Sequence, residues 1–358
     1  MTRAPLRALF LPPLAWSPEF RAFVPGGAPD PNEVYEVLRE NGIESEIIDP
    51  NKWPWNPFSG KNTLYDGLDI TRAVRVLVAR RNIDIVVCVF ESPAVPLVLL
   101  RGLANFRKPI ALWDVGLTES WKIRKRILDL TLPRLEGIMV LSSNQKSYIE
   151  KRWHTKRPVD VIFHHIDANF FHPAPDEPNG YLLSVGKDHG RDFETMFAAA
   201  RDLPIPIAIK TTKQIADRLG RDPQVAWHLT YQSYAGLRDL YAAARFVVIP
   251  LRETLNASGV STILEAYAMG KAVIVSDTEA MRDYFVPDET CLAVPSGDSN
   301  ALRKAIMRLS SDTALRTRLA QGGRRLVEAR FANRPFAQGL AKAIYSYVGG
   351  PVNGLGNS

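Results

Sequence analysis

Apolar residues in this chain gather into short continuous runs and do not alternate with polar ones. In the first half the runs are "LRALFL" (6–11), "ESEIID" (44–49), "IDIVVCVF" (83–90), "PIALW" (109–113), "GIMVL" (137–141) and "VDVIF" (159–163). Each has the length of a strand. Helical periodicity fills the gaps, as in "PNEVYEVLRENG", where Val34, Val37 and Leu38 share a face and Gly42 supplies the stop. Strands that are apolar throughout belong to parallel sheets covered on both faces.

The segment "FFHPAPDEPNG" (170–180), with three prolines and a glycine, breaks this rhythm and reads as a linker. The alternation then restarts with "YLLSVG" (181–186), "IPIAIK" (205–210), "QVAWHL" (224–229), "RFVVIP" (245–250), "KAVIVS" (271–276) and "CLAVP" (291–295). Two βαβ series in succession imply two Rossmann-like domains. The expected division is 1–172 and 173–335. A C-terminal helix, 336–348, is free to stay with the second domain or to cross back to the first, and 349–358 reads as a disordered tail. Helical patterns at 299–310 and 312–330 carry many arginines on a polar face. No repeat at solenoid periods is present.

Composition narrows the class. Hydrophobic residues make up 46% of the 358 positions, ample for packed cores. No apolar run approaches the ~20 residues of a membrane-spanning helix, and "MTRAPLRALFLPPLAW" reads as a first strand rather than a signal peptide. Cys88 and Cys291 are far apart in strand-like runs, which fits a reducing cytoplasm. The net charge of +7 favours an anionic partner: a phosphorylated small molecule, an acidic membrane surface or nucleic acid. No nucleic-acid motif appears, so none is expected as a partner. The run "WKIRKRILDLTLPRL" (121–135) is basic and partly amphipathic. It reads either as a solvated helix face or as a peripheral contact with the inner membrane surface.

Candidate chemistry collects after the strands of the second half, where open α/β sheets bind ligands. One strand runs into "GKDHGRD" with Lys187, His189 and Arg191. Another ends at Lys210, followed by Thr211, Thr212 and Lys213. A third leads through "LRETLNASGVST" into a helix, bringing Asn256, Ser258, Gly259, Val260 and Ser261 to its N-terminus. A helix N-terminus with nearby cations is suited to a diphosphate. Trp227, His228 and Tyr231 follow a further strand, as nucleobase neighbours or as packing. Glu265 stands one turn into the helix. Spacing leaves it two roles, because Thr262 and Glu265 also fit the T-x-x-E capping box. The histidines of "FHHIDANFFHP" match no zinc spacing, and no metal site is assigned.

The stretches "YLLSVGKDHGRDFETMFAAA", "LRDLYAAARFVVIPLRETLNASGVSTILEAYAMGKAVIVSDTEAMRDYF" and "LAVPSGDSNALRKAI" resemble the nucleotide-sugar-binding domain of retaining glycosyltransferases of the GT-B fold, family 4 type. "VLSSNQKSYI" and "HHIDANFFHP" resemble the end of that family's acceptor domain, and the likeness runs through roughly residues 130–345. The resemblance implies two Rossmann-like domains with parallel sheets facing a central cleft. It implies a nucleotide diphosphate sugar as donor substrate, with no further cofactor. It places Lys187 and Arg191 on the diphosphate and the loop at Gly259, Val260 and Ser261 beside it, and gives Glu265 the ribose hydroxyls.

This sequence also departs from the family. Ala257 stands where a second, sugar-contacting glutamate is common, leaving Asn256, Ser258 or Glu253 as substitutes, and the glycine comes six residues before Glu265 rather than five. Where the family often has a histidine, "LWDVGLTES" offers Asp114, as an orienter of the acceptor hydroxyl or as a helix cap. Gly26 and Gly27 resemble the family's loop between donor and acceptor, or a plain turn. The expected activity is metal-independent sugar transfer with retention of configuration, to a glycan, lipid-linked or small-molecule acceptor. A relative that binds or epimerises a nucleotide sugar without transferring it is the alternative, and a basic nucleic-acid-binding protein is a more distant one.

Overall fold

The computed structural model describes residues 4–12, 27–30, 32–50, 68–79, 82–113, 122–153, 157–175, 177, 179–220, 222, 225–230 and 232–349. The chain divides into two compact units. One is formed by residues 1–23, 31–163 and 336–358, the other by 24–30 and 164–335.

In the first unit the elements are β1 (Leu6–Leu11), α1 (Asn32–Glu40), β2 (Ile43–Ile47), α2 (Ile70–Ala79), β3 (Ile85–Val89), α3 (Glu91–Leu100), β4 (Ile110–Trp113), α4 (Lys122–Thr131), β5 (Gly137–Val140), α5 (Ser143–Trp153) and β6 (Val159–Val161). The six strands form a parallel sheet in the order β2-β1-β3-β4-β5-β6. Strands β3, β4 and β5 are buried along their whole length, as their uninterrupted apolar sequences require. In α4 and the turn after it, Leu128, Thr131, Leu132 and Leu135 are buried, while Arg126 and Leu130 are exposed. Trp121 and the side chains of 122–125, central to the membrane reading of 121–135, lie outside the described residues. No helix among the described residues is long and apolar enough to cross a membrane.

The second unit continues with β7 (Tyr181–Val185), α6 (Phe193–Ala200), β8 (Ile207–Lys210), α7 (Lys213–Arg218), β9 (Val225–His228), α8 (Tyr234–Ala242), β10 (Ala244–Ile249), α9 (Val260–Ala268), β11 (Val273–Asp277), β12 (Leu292–Pro295), α10 (Ser299–Ser311) and α11 (Thr313–Leu326). Its parallel sheet has the order β12-β11-β10-β7-β8-β9. The chain proceeds from β7 in one direction and from β10 in the other. The order therefore reverses between β7 and β10, and the loops leaving these two strands diverge.

The last helix, α12 (Asn333–Tyr347), enters the first unit from Phe336 onward. Phe336, Leu340, Ile344 and Tyr347 join the core formed by β1, β3, β4 and β5. Tyr347 donates a 2.7 Å hydrogen bond to Asp160, and Phe336 lies 5.3 Å from Trp113 between ring centroids.

The crossing between units falls at 163/164, not at the 172/173 expected from the proline-rich segment. Residues 164–172 are already tied to the second unit. The N–H of Ile166 donates to the carbonyl of Phe331, and Arg324 donates to the carbonyls of Ala168 and Phe171. Proline content marked an irregular segment, but these long-range bonds decide which unit owns it. The described part of 24–30, including Gly27, also belongs to the second unit, where the N–H of Asp30 donates to Asp167 at 2.8 Å. Gly26 and nearly all of the 349–358 tail lie outside the described residues.

Candidate functional site

The diverging loops after β7 and β10 are zipped to each other. Arg191 and Leu251 form an antiparallel bridge, and the N–H of Arg252 donates to the carbonyl of Gly190 at 2.8 Å. The Arg252 guanidinium then reaches the carbonyl of Arg191 and the carboxylates of Asp192 and Glu194. Two loops separated by some sixty residues thus act as one rigid frame.

Arg191 sits inside that frame with only 4% of its surface exposed. Its Nε donates to Asp188 at 3.0 Å and its Nη2 to the hydroxyl of Thr262 at 2.9 Å. Nη1 is buried and has no hydrogen-bond partner among the described residues. Gly259 lies next to it: a Cβ at position 259 would stand 3.2 Å from Nη1 and 2.9 Å from Ile249. Gly259 also has φ of 91°, a left-handed conformation that other residues adopt only under strain. A buried guanidinium nitrogen without an acceptor costs about 1–3 kcal/mol. An anion at the N-terminus of α9 would remove that cost and also meet the helix dipole.

Asp188 sets the orientation of Arg191. Burial pushes its carboxyl up, but the charge of Arg191 and hydrogen bonds from Ser258, Arg191 and its own backbone outweigh this and hold it below the usual range. Ser258 is therefore engaged with Asp188. Val260 is buried, and Ser261 is exposed with its hydroxyl 3.2 Å from Nε2 of His164. Burial lowers His164 to about 4, so its ring is neutral at physiological pH. The neighbouring Asp167 accepts N–H bonds from Asn169 and Phe170, as a turn cap.

Glu265 does not cap its helix. The N-cap of α9 is Gly259, which leaves Thr262 in the third helical position, with its hydroxyl bound to Arg191 and to the carbonyl of Val185. The capping-box reading of Thr262 and Glu265 is thereby corrected. Oε2 of Glu265 accepts a 2.7 Å hydrogen bond from the buried hydroxyl of Tyr241 in α8, and Oε1 has no partner among the described residues. Burial raises the Glu265 carboxyl to about 7, against the opposing effects of Tyr241 and Arg191.

A second group of cations lines up across three strand ends. Parallel register places Val185 beside Lys210 and Lys210 beside His228. Burial and the charge of Lys187 lower Lys210, and burial and the charge of Lys210 lower His228. Lys187 itself is exposed, as is His189. These groups repel one another, and a diphosphate would relieve the repulsion.

The other candidates fall as follows. Trp227 is turned into packing: its Nε1 donates to the carbonyl of Asp222 and its ring lies 6.0 Å from Phe197. The Asn256 carbonyl accepts from the Thr254 hydroxyl and the Ser258 N–H. Ala257 is buried, and Glu253 accepts the N–H of Glu279 at 3.0 Å. Tyr231 and Asp114 lie outside the described residues. Sequence reasoning missed Thr262 as the anchor of Arg191 and Tyr241 as the partner of Glu265. The T-x-x-E spacing pointed at Thr262 for another reason, and Tyr241 carried no local signal.

Residues 209–326 match the family model described as "Glycosyl transferases group 1". A lipopolysaccharide core biosynthesis mannosyltransferase, LpcC of Rhizobium leguminosarum bv. viciae, is 26% identical over 78% of this chain and 80% of its own length. Among solved structures, sucrose-phosphate synthase (tll1590) from Thermosynechococcus elongatus superposes with a TM-score of 0.71 at 17% identity, covering 94% of this chain and 98% of that one. Anabaena Alr3699/HepE, solved in complex with UDP, gives 0.65 at 15% identity, covering 95% and 100%. Residues 209–326 thus resemble group 1 glycosyl transferases, and the structural likeness shows the GT-B fold.

Proposed function

We propose that this protein is a group 1 glycosyltransferase that moves a hexosyl group from a nucleoside diphosphate sugar to a hydroxyl of a lipopolysaccharide-core-type saccharide, with retention of configuration and without a divalent ion. The observation that carries the donor site is Nη1 of Arg191, buried without an acceptor beside Gly259 at the N-terminus of α9. The acceptor class rests on the Rhizobium relative, a lipopolysaccharide core biosynthesis mannosyltransferase.

In this reading the diphosphate lies against Arg191 and the first turn of α9, with Lys187 and Lys210 alongside it. As the glycosidic bond breaks, negative charge grows on the leaving diphosphate. Donors already fixed in place stabilise that charge without reorganising, which is electrostatic preorganisation. Asp188 and Thr262 keep the guanidinium aimed. The ribose lies alongside the same turn, its hydroxyls donating to Glu265, whose Oε2 is steadied by Tyr241. His228 faces the phosphates or the base from the end of β9. Asp114 is assigned to the acceptor hydroxyl.

The test is product analysis with a panel of labelled nucleotide sugars and a truncated lipopolysaccharide core acceptor, in excess chelator. A new glycoside with the donor's anomeric configuration is expected. Hydrolysis or epimerisation of the donor without transfer would reject the transferase, and loss of transfer on chelation with recovery on added Mg²⁺ would reject the metal-free mechanism.

A further inference from the structure

The second unit holds a cavity of about 350 Å³ bordered by the starts of β10 and β11 and by α11. It lies at the amino edge of the sheet, whereas Arg191 and Lys210 belong to the carboxyl edge. Arg245, Lys271, Arg316, Arg324 and Arg325 line it, and no carboxylate lines it among the described residues.

Helix capping is the ordinary account of such cations, and it explains part of the cluster. Helices running antiparallel to the strands bring their C-terminal carbonyls to this edge. Lys271 donates to the carbonyl of Ala242 at the end of α8, and Arg324 to that of Ala268 at the end of α9. Arg245 and Arg316 donate to the carbonyls of Ser310 and Leu309 near the end of α10. Each helix terminus is worth roughly half a negative charge, so three of them offset about one and a half of the five positive charges. Glu328, 2.7 Å from Nε of Arg324, offsets one more. Arg245 and Arg325 form no ion pair among the described residues.

Both have donors to offer. Nε of Arg245 is buried with no hydrogen-bond partner among the described residues. The side chain of Arg325 is exposed and takes part in no hydrogen bond or ion pair among them. We propose that this cavity is a second anion site, taking a small phosphate ester of sugar-phosphate size. A phosphate dianion matches two guanidinium groups in charge and in hydrogen-bond geometry. The volume lies at the lower end of the range for small-ligand pockets, which suits one sugar phosphate.

Isothermal titration of the full chain with fructose 6-phosphate and with inorganic phosphate tests the assignment. Binding of the ester is expected in the wild type and in Arg191→Ala alike. It should weaken by about tenfold or more in the Arg245→Gln/Arg325→Gln double variant, the loss expected for charge-assisted bonds. Arg325→Gln alone is a change at an exposed side chain, and it carries the test through severalfold weaker binding if the double variant fails to fold. Ester binding that vanishes in Arg191→Ala, or that is untouched by Arg325→Gln and by the double variant, would overturn the proposal. Inorganic phosphate binding as tightly as the ester would also overturn it, by reducing the site to a general anion trap.

Discussion

Glu265 gives the donor-site reading a pH signature. In the free protein burial raises its carboxyl to about 7, so near neutrality about half the molecules carry a proton there. Ribose hydroxyls donate hydrogen bonds, and the ionised carboxylate is the better acceptor for them. Donor binding should therefore release a proton and return the group toward its ordinary value of 4.5. Between pH 8 and pH 6 the free protein passes from mostly ionised to mostly protonated, while the complex stays ionised throughout. Linkage then predicts that affinity for the intact nucleotide sugar falls about tenfold over that interval. The nucleotide sugar is the right ligand because its diphosphate is a diester and does not titrate in this window. His228 works in the opposite direction, since gaining charge at low pH would favour an anion. Calorimetry in two buffers of different ionisation enthalpy would count the proton directly, about half of one at pH 7. Glu265→Gln should flatten the profile and lower affinity at pH 8. A wild-type affinity that does not change between pH 6 and pH 8, or a Gln variant with the same slope as wild type, would refute the reasoning. The sign for folding is fixed by the same shift. A carboxyl raised in the folded state contributes stability that is complete below 4.5 and is lost as pH rises through 7. The Gln variant should therefore gain on wild type between pH 5 and pH 8, by at most about 3 kcal/mol.

Two further outcomes are expected. Arg191→Ala should weaken a nucleoside diphosphate far more than the corresponding nucleoside, measured by calorimetry; equal losses would remove Arg191 from the diphosphate. Leu340→Ala, at a side chain 2% exposed in the core of the first unit, should destabilise that unit by about 2–5 kcal/mol in denaturant unfolding, and a negligible change would contradict the packing of α12.

The strands were legible because a strand covered on both faces needs a continuous apolar run. "LRALFL" could hardly be anything else, and β1 spans it from end to end. Strand order was not legible, because nothing local in "YLLSVG" or "RFVVIP" states that β7 and β10 are neighbours. Of the site, the individual loops could be found, since cations and glycines after strands are visible one loop at a time. Their joining was hidden. That Arg191 is clamped by Thr262, seventy-one residues away, and Glu265 by Tyr241, twenty-four residues away, depends on packing between elements with no shared local pattern. The misplaced unit boundary has the same origin. Prolines advertise an irregular backbone, but the carbonyls held by Arg324 determine where residues 164–172 belong.

The return of α12 has a consequence for how the protein is made. Residues 164–335 form an insertion within the first unit, whose core stays open until Phe336 and the residues after it arrive. On the ribosome the second unit can therefore be completed first, although the first unit is begun earlier. For the time needed to translate some 170 residues, the sheet of the first unit presents an uncovered apolar face to its surroundings, the condition under which nascent chains aggregate or recruit chaperones. A ribosome-stalled chain ending before α12 should thus carry a protease-resistant second unit attached to a protease-sensitive first one. Synthesis rate and chaperone supply, more than the stability of the finished protein, would then limit its yield.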